Sequence, residues 1–448
     1  MSVCARTSGL LLCGTLVLAG CDPVGSNING NYNYGNQNGN YNSWNSNNQN
    51  PPADAQVEGL VTLEGTVWSP GADQASVLEA NRFPIPGAIV VAYHQAPPDL
   101  PQQNYCNECV EIPAGTPNTT TDPVDGTFLL RLMPNRTYFL TVQKGEFRRV
   151  RQITTPNTPD QAYTYDTGGI GQPRAVETTL PNRTDLGVGD NIPKIAMIDA
   201  AYESHEEMFG AMGFDWATAV DLYGGWGGTS VNSLLDNAST LNQYNLVIAP
   251  CGQEWPGGSS AAANLKLFVK EGGALYVDDF NYDFVEQVWP EFLTFHDGSS
   301  TCGGGTTPPS TVGTCNHWSS YNFAGQPGNN DFRDWLILIN NGSTSFLLEL
   351  AYDYIYSMAP GEVGISETGT GPNGEVYLEP YVWMYNMDNS PAGPMAPATV
   401  SWPYYCGRVL YTVYHTEANA GAELLLQEKI MMYLIMEVQT CSTEPIVR

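Results

Sequence analysis

His415 and Glu417 stand two residues apart in the stretch "GRVLYTVYHTEAN", Gly407 to Asn419, directly after a run apolar enough for a strand covered on both faces. An imidazole and a carboxylate at that spacing can exchange a proton as a general acid/base pair, and either can ligate a divalent cation. Three other short apolar runs end in residues of the same kinds. "KIAMIDA" closes on Asp199 and leads to Glu203 and His205, "YNLVIAPCG" reaches Cys251, and "ALYVDDF" carries Asp278 and Asp279. Cys251 adds a thiol, which is a nucleophile only when ionised. The plain alternative is a set of ordinary polar turns in an acid-rich chain.

These residues share a site only if the runs are strands of one sheet. From Lys194 onward apolar runs alternate with helix-compatible segments: "SHEEMFGAMGFD" with Ser204 as a cap, "SSAAANLKLFVKEGG" closed by Gly272-Gly273, "FVEQVWPEFL", and "GAELLLQEKIMMYLIMEV". That rhythm predicts an α/β layer with a parallel sheet over residues 193–441. Ligands of such sheets sit outside the carboxyl ends of the strands, which is where all the residues above fall. Residues 296–399 read as a long irregular insertion with one helix near "DFRDWLILIN". Its aromatic side chains Trp318, Trp335, Tyr352, Tyr354, Tyr356 and Trp383 are a candidate contact surface, or the insertion's own small core.

Residues 56–155 have another rhythm. "VTLEGTVWS", "IPGAIVVAY", "DGTFLLRLM" and "TYFLTVQKG" are short strand-like runs with turns between them, predicting a small all-β sandwich. Gly65-Thr66-Val67, Pro86 to Val91, Asp125 to Phe128 and Tyr138 to Val142 resemble a carboxypeptidase regulatory-like domain, a transthyretin-like sandwich. The resemblance implies an accessory or adhesive module and brings no catalytic residues. Residues 156–192 read as a connector able to pair in part, and 442–448 as a tail.

In order, "YNLVIAPCG", "LKLFVKEGGALYVDD" and "GRVLYTVYHTEAN" resemble the class I glutamine amidotransferase-like superfamily, in particular its trehalose-utilisation (ThuA-like) branch. The resemblance implies a flavodoxin-like α/β fold. It also implies a cysteine on a sharp turn after the strand following the Gly-Gly helix end, and an H-x-E motif after a later strand. His415-Thr416-Glu417 fits the second element; Asp278 and Asp279 stand where the cysteine is wanted, and Cys251 falls one strand too early. Asp279, His415 and Glu417 are thus the candidate catalytic set, inherited from a hydrolytic layout that has lost its nucleophile. Asp199, Glu203, His205, Cys251 and Asp278 complete a candidate pocket. No motif calls for an organic cofactor, since "GGWGG" lacks the lysine of a phosphate loop. A divalent cation remains an open alternative.

The N-terminus, "MSVCARTSGLLLCGTLVLAGC", has an early Arg6, an apolar run from Leu10 to Leu18 and small residues before Cys21, which predicts a signal peptide over 1–20. Leu18-Ala19-Gly20-Cys21 resembles a bacterial lipobox and implies lipid on Cys21, hence a lipoprotein of the cell envelope with inner or outer membrane undecided. Residues 21–55, rich in Asn, Gly and Tyr, read as a tether. With 17 Lys and Arg against 46 Asp and Glu the net charge is −29, which repels nucleic acid and anionic lipid. In an oxidising compartment the remaining cysteines pair, and short spacing points to Cys106 with Cys109 and Cys302 with Cys315; Cys251 is left free or joined to Cys406 or Cys441. The reading that follows is a membrane-anchored envelope protein, a non-catalytic binding or structural protein for an envelope glycan or protein partner. Its rival is a metal- or acid/base-dependent hydrolase or isomerase acting on carbohydrate.

Overall fold

The computed structural model describes residues 59–441 except 110, 160, 166–170, 204, 226–228, 253–254, 256–258, 296–319, 389, 391 and 417–422. Cys21, Cys302, Cys315, Trp318 and Glu417, the signal peptide, the tether and the tail 442–448 therefore lie outside the described residues.

The first part builds two small sheets. In one, β1 (Val61–Thr66) pairs antiparallel with β4 (Thr127–Leu132) and parallel with β7 (Ala162–Thr164). The other is antiparallel in the order β3-β2-β5-β6-β8, from β2 (Ile89–Tyr93), β3 (Asn118–Thr120), β5 (Thr137–Lys144), β6 (Phe147–Thr154) and β8 (Asp190–Asn191). β1 buries Val61 and Leu63 on alternate positions, as a half-covered strand should. β7 and β8 come from the segment read as a connector, so that stretch is tied into both sheets.

The second part is organised by a nine-stranded sheet, order β10-β9-β11-β12-β21-β20-β19-β14-β15. Five neighbours run parallel: β9 (Ile195–Asp199), β10 (Val220–Gly224), β11 (Leu246–Ala249), β12 (Ala274–Asp278) and β21 (Gly407–Thr412). β11, β12 and β21 are buried at every position, the reason they read as unbroken apolar runs. The helices His205–Ala211 and Ser259–Lys270 lie where expected. "FVEQVWPEFL" forms one short helix, Asp283–Glu286.

The insertion is not irregular. β14 (Tyr321–Pro327), β15 (Phe346–Ala351), β19 (Tyr381–Asn386) and β20 (Ala396–Tyr404) extend the sheet antiparallel, joined to β21 by the β20–β21 hairpin. The sheet is mixed, not purely parallel. Two further ladders pair β13 (Leu293–Thr294) with β16 (Ser357–Met358), and β17 (Gly361–Ile365) with β18 (Glu375–Leu378). Trp335 and Trp383 are buried in the shared core, where Phe332 of the insertion and Tyr433 of the last helix pack on them and Phe83 meets Trp335, and Tyr354 is buried too; these side chains are no open contact surface.

One hydrophobic core runs through both parts. The helix Leu426–Val438 is buried on every side, including Glu428, Lys429 and Glu437, because it is covered by the large sheet on one side and by the β5–β6 turn on another. Lys144 Nζ lies 2.5 Å from Glu437 Oε2 in a nearly sealed ion pair. Trp335 Nε1 donates to Pro84 O at 2.9 Å, and Leu424 N to Asn81 Oδ1 at 2.8 Å. Gly272, at φ +126°, must be glycine: a Cβ there would lie 1.9 Å from Tyr105 O. The "CNEC" loop thus docks between the Tyr405–Cys406 turn and the end of the last helix, where Asn107 Nδ2 donates to Gln439 O. Docked there, the two cysteines meet distant partners: disulfides join Cys106 to Cys406 and Cys109 to Cys441, not Cys106 to Cys109. Cys251 is free and buried.

Candidate functional site

The strand order puts a reversal of direction beside β9, and the carboxyl ends of β9, β11, β12 and β21 meet along one edge. Six of the candidate residues converge there: Glu203, His205, Cys251, Asp278, Asp279 and His415. All are buried. Asp199 does not join them; it is half-buried against the Gly224-Gly225 turn.

Asp279 is the first residue past β12, at φ +39°, and opens a 3-10 turn over Asp279–Tyr282. A non-glycine residue in that region is strained, and a strained bend between a strand and a helix is how α/β-hydrolases present a nucleophile. Here the bend presents a carboxylate. Asp279 Oδ2 lies 2.9 Å from His415 Nε2, and both its oxygens accept from the Tyr352 N–H at 3.2 and 3.1 Å. Burial pushes the Asp279 carboxyl up to about 7 against the opposing pull of His415. Leu350, also at positive φ (57°), accepts the His415 backbone N–H on its carbonyl at 3.2 Å, so a second strained residue holds the His415 backbone.

Cys251, Asp279 and His415 each offer a ligating atom, and these atoms lie within 4.8 Å of one another. The thiol is nonetheless a poor nucleophile. Burial, then the charges of Asp279, Asp278 and Glu203, drive its ionisation far above the ordinary thiol range.

A second knot adjoins the first. Thr416 N–H donates to Glu203 Oε1 at 2.8 Å, Thr416 Oγ1 lies 2.6 Å from His205 Nε2, and Cys251 N–H donates to Asp278 Oδ1 at 2.5 Å. Burial, reinforced by Asp278, raises Glu203 well above the carboxylate range.

Sequence reading missed Asp353, a fully buried acid from the insertion. Its Oδ2 lies 3.2 Å from Tyr411 Oη, a hydroxyl whose single proton has a nearer acceptor in Asp279 O at 2.9 Å. Burial and the Asp279 charge raise it well above the usual range. Its only signal was an acid inside the aromatic run "YDYIY". Thr416 and Tyr352, which orient the cluster, carry no signal of their own.

No family model and no curated protein matches this chain. Among solved structures it is similar to a ThuA-like protein from Parabacteroides merdae (13% identity, 55% of this chain and 87% of that one, TM-score 0.31). A cytoplasmic protein from Salmonella typhimurium is similar at 12% identity, over 56% of this chain and all of the other, with TM-score 0.31. So is a GH42 β-galactosidase, at 15% identity over 57% of this chain and 31% of that one, with TM-score 0.29. At such identities and TM-scores, nothing about activity passes from them to this chain.

Proposed function

We propose that the chain is a lipid-anchored protein of the bacterial envelope whose α/β portion binds an envelope glycan or protein partner and does not hydrolyse it. One observation carries the reading: the strained bend where a nucleophile would stand holds Asp279, a buried carboxylate already engaged by His415 and Tyr352. The nearby thiol is held un-ionised, so the imidazole has no thiolate partner. The lipobox-like start and the Asn-rich stretch supply the anchor and spacer, and the carboxypeptidase regulatory-like pattern supplies an accessory module consistent with adhesion.

Iodoacetamide on the folded chain at pH 8 tests the first half; the expected result is an unmodified Cys251 and no turnover of chromogenic amides, esters or glycosides. Stoichiometric alkylation of Cys251 with loss of a hydrolytic activity would refute the reading. Palmitate labelling of cells making the full chain tests the anchor, with label expected in the natural sequence and absent from Cys21→Ser. Retention on immobilised envelope glycan, or recovery of one stoichiometric envelope partner, tests the binding half; failure of both sinks it.

A second reading, an acid/base-dependent hydrolase or isomerase on carbohydrate, is favoured by the convergence of Asp279 and His415 and by an Asp279 carboxyl poised near neutrality. Under it, Asp279→Asn abolishes a glycoside- or sugar-directed activity present in the natural chain. Under the binding reading there is no activity to abolish.

A further inference from the structure

The geometry points to a structural divalent-cation site formed by Glu203, His205 and Asp278, occupied by zinc or a metal of similar preference. The site is separate from the Asp279–His415 pair and independent of the binding reading above.

Each of the three residues is divided between two jobs. One polar atom is fixed by the protein: Glu203 Oε1 by the Thr416 N–H, His205 Nε2 by Thr416 Oγ1, Asp278 Oδ1 by the Cys251 N–H. The other polar atom, Glu203 Oε2, His205 Nδ1 or Asp278 Oδ2, is buried and makes no hydrogen bond of good geometry, although Asp278 Oδ2 lies 3.3 Å from His205 Nε2 and the Glu203 and Asp278 carboxyl groups face each other. All three side chains are sealed from solvent. Buried polar atoms are almost always satisfied, so three in one place need a common explanation.

The spacing supplies one. Ligating atoms of the three residues lie within 4.8 Å of one another. Glu203 Oε2 and His205 Nδ1 are 3.5 Å apart without hydrogen-bond geometry. Donor atoms about 2.0–2.1 Å from a shared tetrahedral ion stand about 3.4 Å from each other. With His205 Nε2–H given to Thr416 Oγ1, the Nδ1 lone pair is left facing the Glu203 oxygen, and a cation between them removes the repulsion. The contacts on the far atoms are the outer partners that metal ligands generally have, fixing the histidine tautomer and the carboxylate planes.

Two carboxylates and one imidazole balance a divalent charge and favour zinc or manganese. Calcium and magnesium prefer larger all-oxygen sets. The neighbouring Cys251, Asp279 and His415 group is the weaker candidate, because both Asp279 oxygens already accept from the Tyr352 N–H and its contact with His415 is closer, 2.9 Å against 3.3 Å for Asp278 and His205. Burial makes the role structural: the ion would tie the segment after β9 to the end of β12 and, through Thr416, to the segment after β21.

The test is elemental analysis of the full chain, purified in detergent without chelator, with cobalt exchange. About one zinc or manganese per chain is expected, falling below about 0.1 in Glu203→Gln and in Asp278→Asn and remaining near one in Asp353→Asn. Because the first two variants can misfold, a second measurement uses the natural chain. Unfolded in chelator and refolded with cobalt, it should take up about one equivalent with the visible d–d bands of low-coordinate cobalt and no sulfur-to-metal charge-transfer band. Two results overturn the site. One is a folded chain with no bound metal and no change in melting temperature when zinc is added. The other is a bound ion that shows thiolate charge transfer and is lost in Cys251→Ser, which would place it on the neighbouring group.

Discussion

Glu146→Gln isolates the energetic cost of one acid buried between the two parts of the molecule. Glu146 sits in the β5–β6 turn beside Asn245 and Tyr105, and burial pushes its carboxyl from an ordinary 4.5 up to about 8 against a weaker opposing hydrogen bond from Asn245. The folded state therefore holds a proton that the unfolded chain releases. Its stability contribution is intact below pH 4.5, declines as pH rises toward 8, and is level beyond. Each pKa unit of difference corresponds to about 1.4 kcal/mol, so the natural chain loses about 3 kcal/mol through this residue by pH 7 and about 5 kcal/mol above pH 8. Glutamine keeps an acceptor for Asn245 and carries no charge. Urea unfolding of both chains, disulfides intact, from pH 4.5 to 8.5 gives the comparison. Subtracting the curves cancels every other titrating group, including Glu203 and Asp353. The variant should gain on the natural chain by about 3 kcal/mol between pH 4.5 and 7. A difference that stays constant over that range would show that Glu146 is solvated or paired in the folded state, refuting the argument from burial.

The Lys144–Glu437 pair is sealed at the same junction, so Lys144→Met or Glu437→Leu alone should cost about 3–5 kcal/mol while the double replacement recovers most of it; equal losses in all three chains by urea unfolding would contradict this. The disulfides close separations of 300 and 332 residues, so the first to form should be worth about 5–6 kcal/mol on chain-entropy grounds. With one in place the other closes a ring of only about 40 residues and should add about 4 kcal/mol. Melting of Cys406→Ser, Cys441→Ser and the doubly substituted chain checks the order, the second loss being larger than the first.

The parallel half of the sheet was legible because its strands are buried on both faces. "NLVIAP" and "ALYVD" leave nothing polar until the strand is over, so the first polar residue marks the carboxyl end, and topology brings those ends to one edge. Gly272-Gly273 marked a helix end for the same local reason. The antiparallel half was hidden by its own irregularities. β20 pairs on both sides yet contains Pro397 and Pro403, and the β19–β20 ladder slips register around Met384, so neither strand alternates cleanly. Disulfide partners were illegible for another reason. Spacing of two between Cys106 and Cys109 favours a local bridge only when the loop is free to close on itself. Docking against Gly272 and Gln439 spreads the two thiols toward different neighbours.

The site's composition was readable and its accessibility was not, and the insertion is the cause. In an open sheet the switch-point edge is a crevice, and a histidine at its rim meets solvent. Here β15 lies beyond that edge and carries its next residues across it. The Tyr352 ring packs tilted against the His415 ring at a centroid distance of 4.9 Å, and its backbone supplies the N–H that holds Asp279. Asp353 hangs from Tyr411, and Tyr354 lies flat against Tyr321 at 4.4 Å. His415 is left 4% exposed. Covering an edge lined with Glu203, Asp278, Asp279 and Asp353 strips four carboxyl groups of water, which is unfavourable unless protons, imidazoles or a cation neutralise them. Roofed by aromatic residues, the cluster becomes a part of the core, and its stability then depends on what balances the charge.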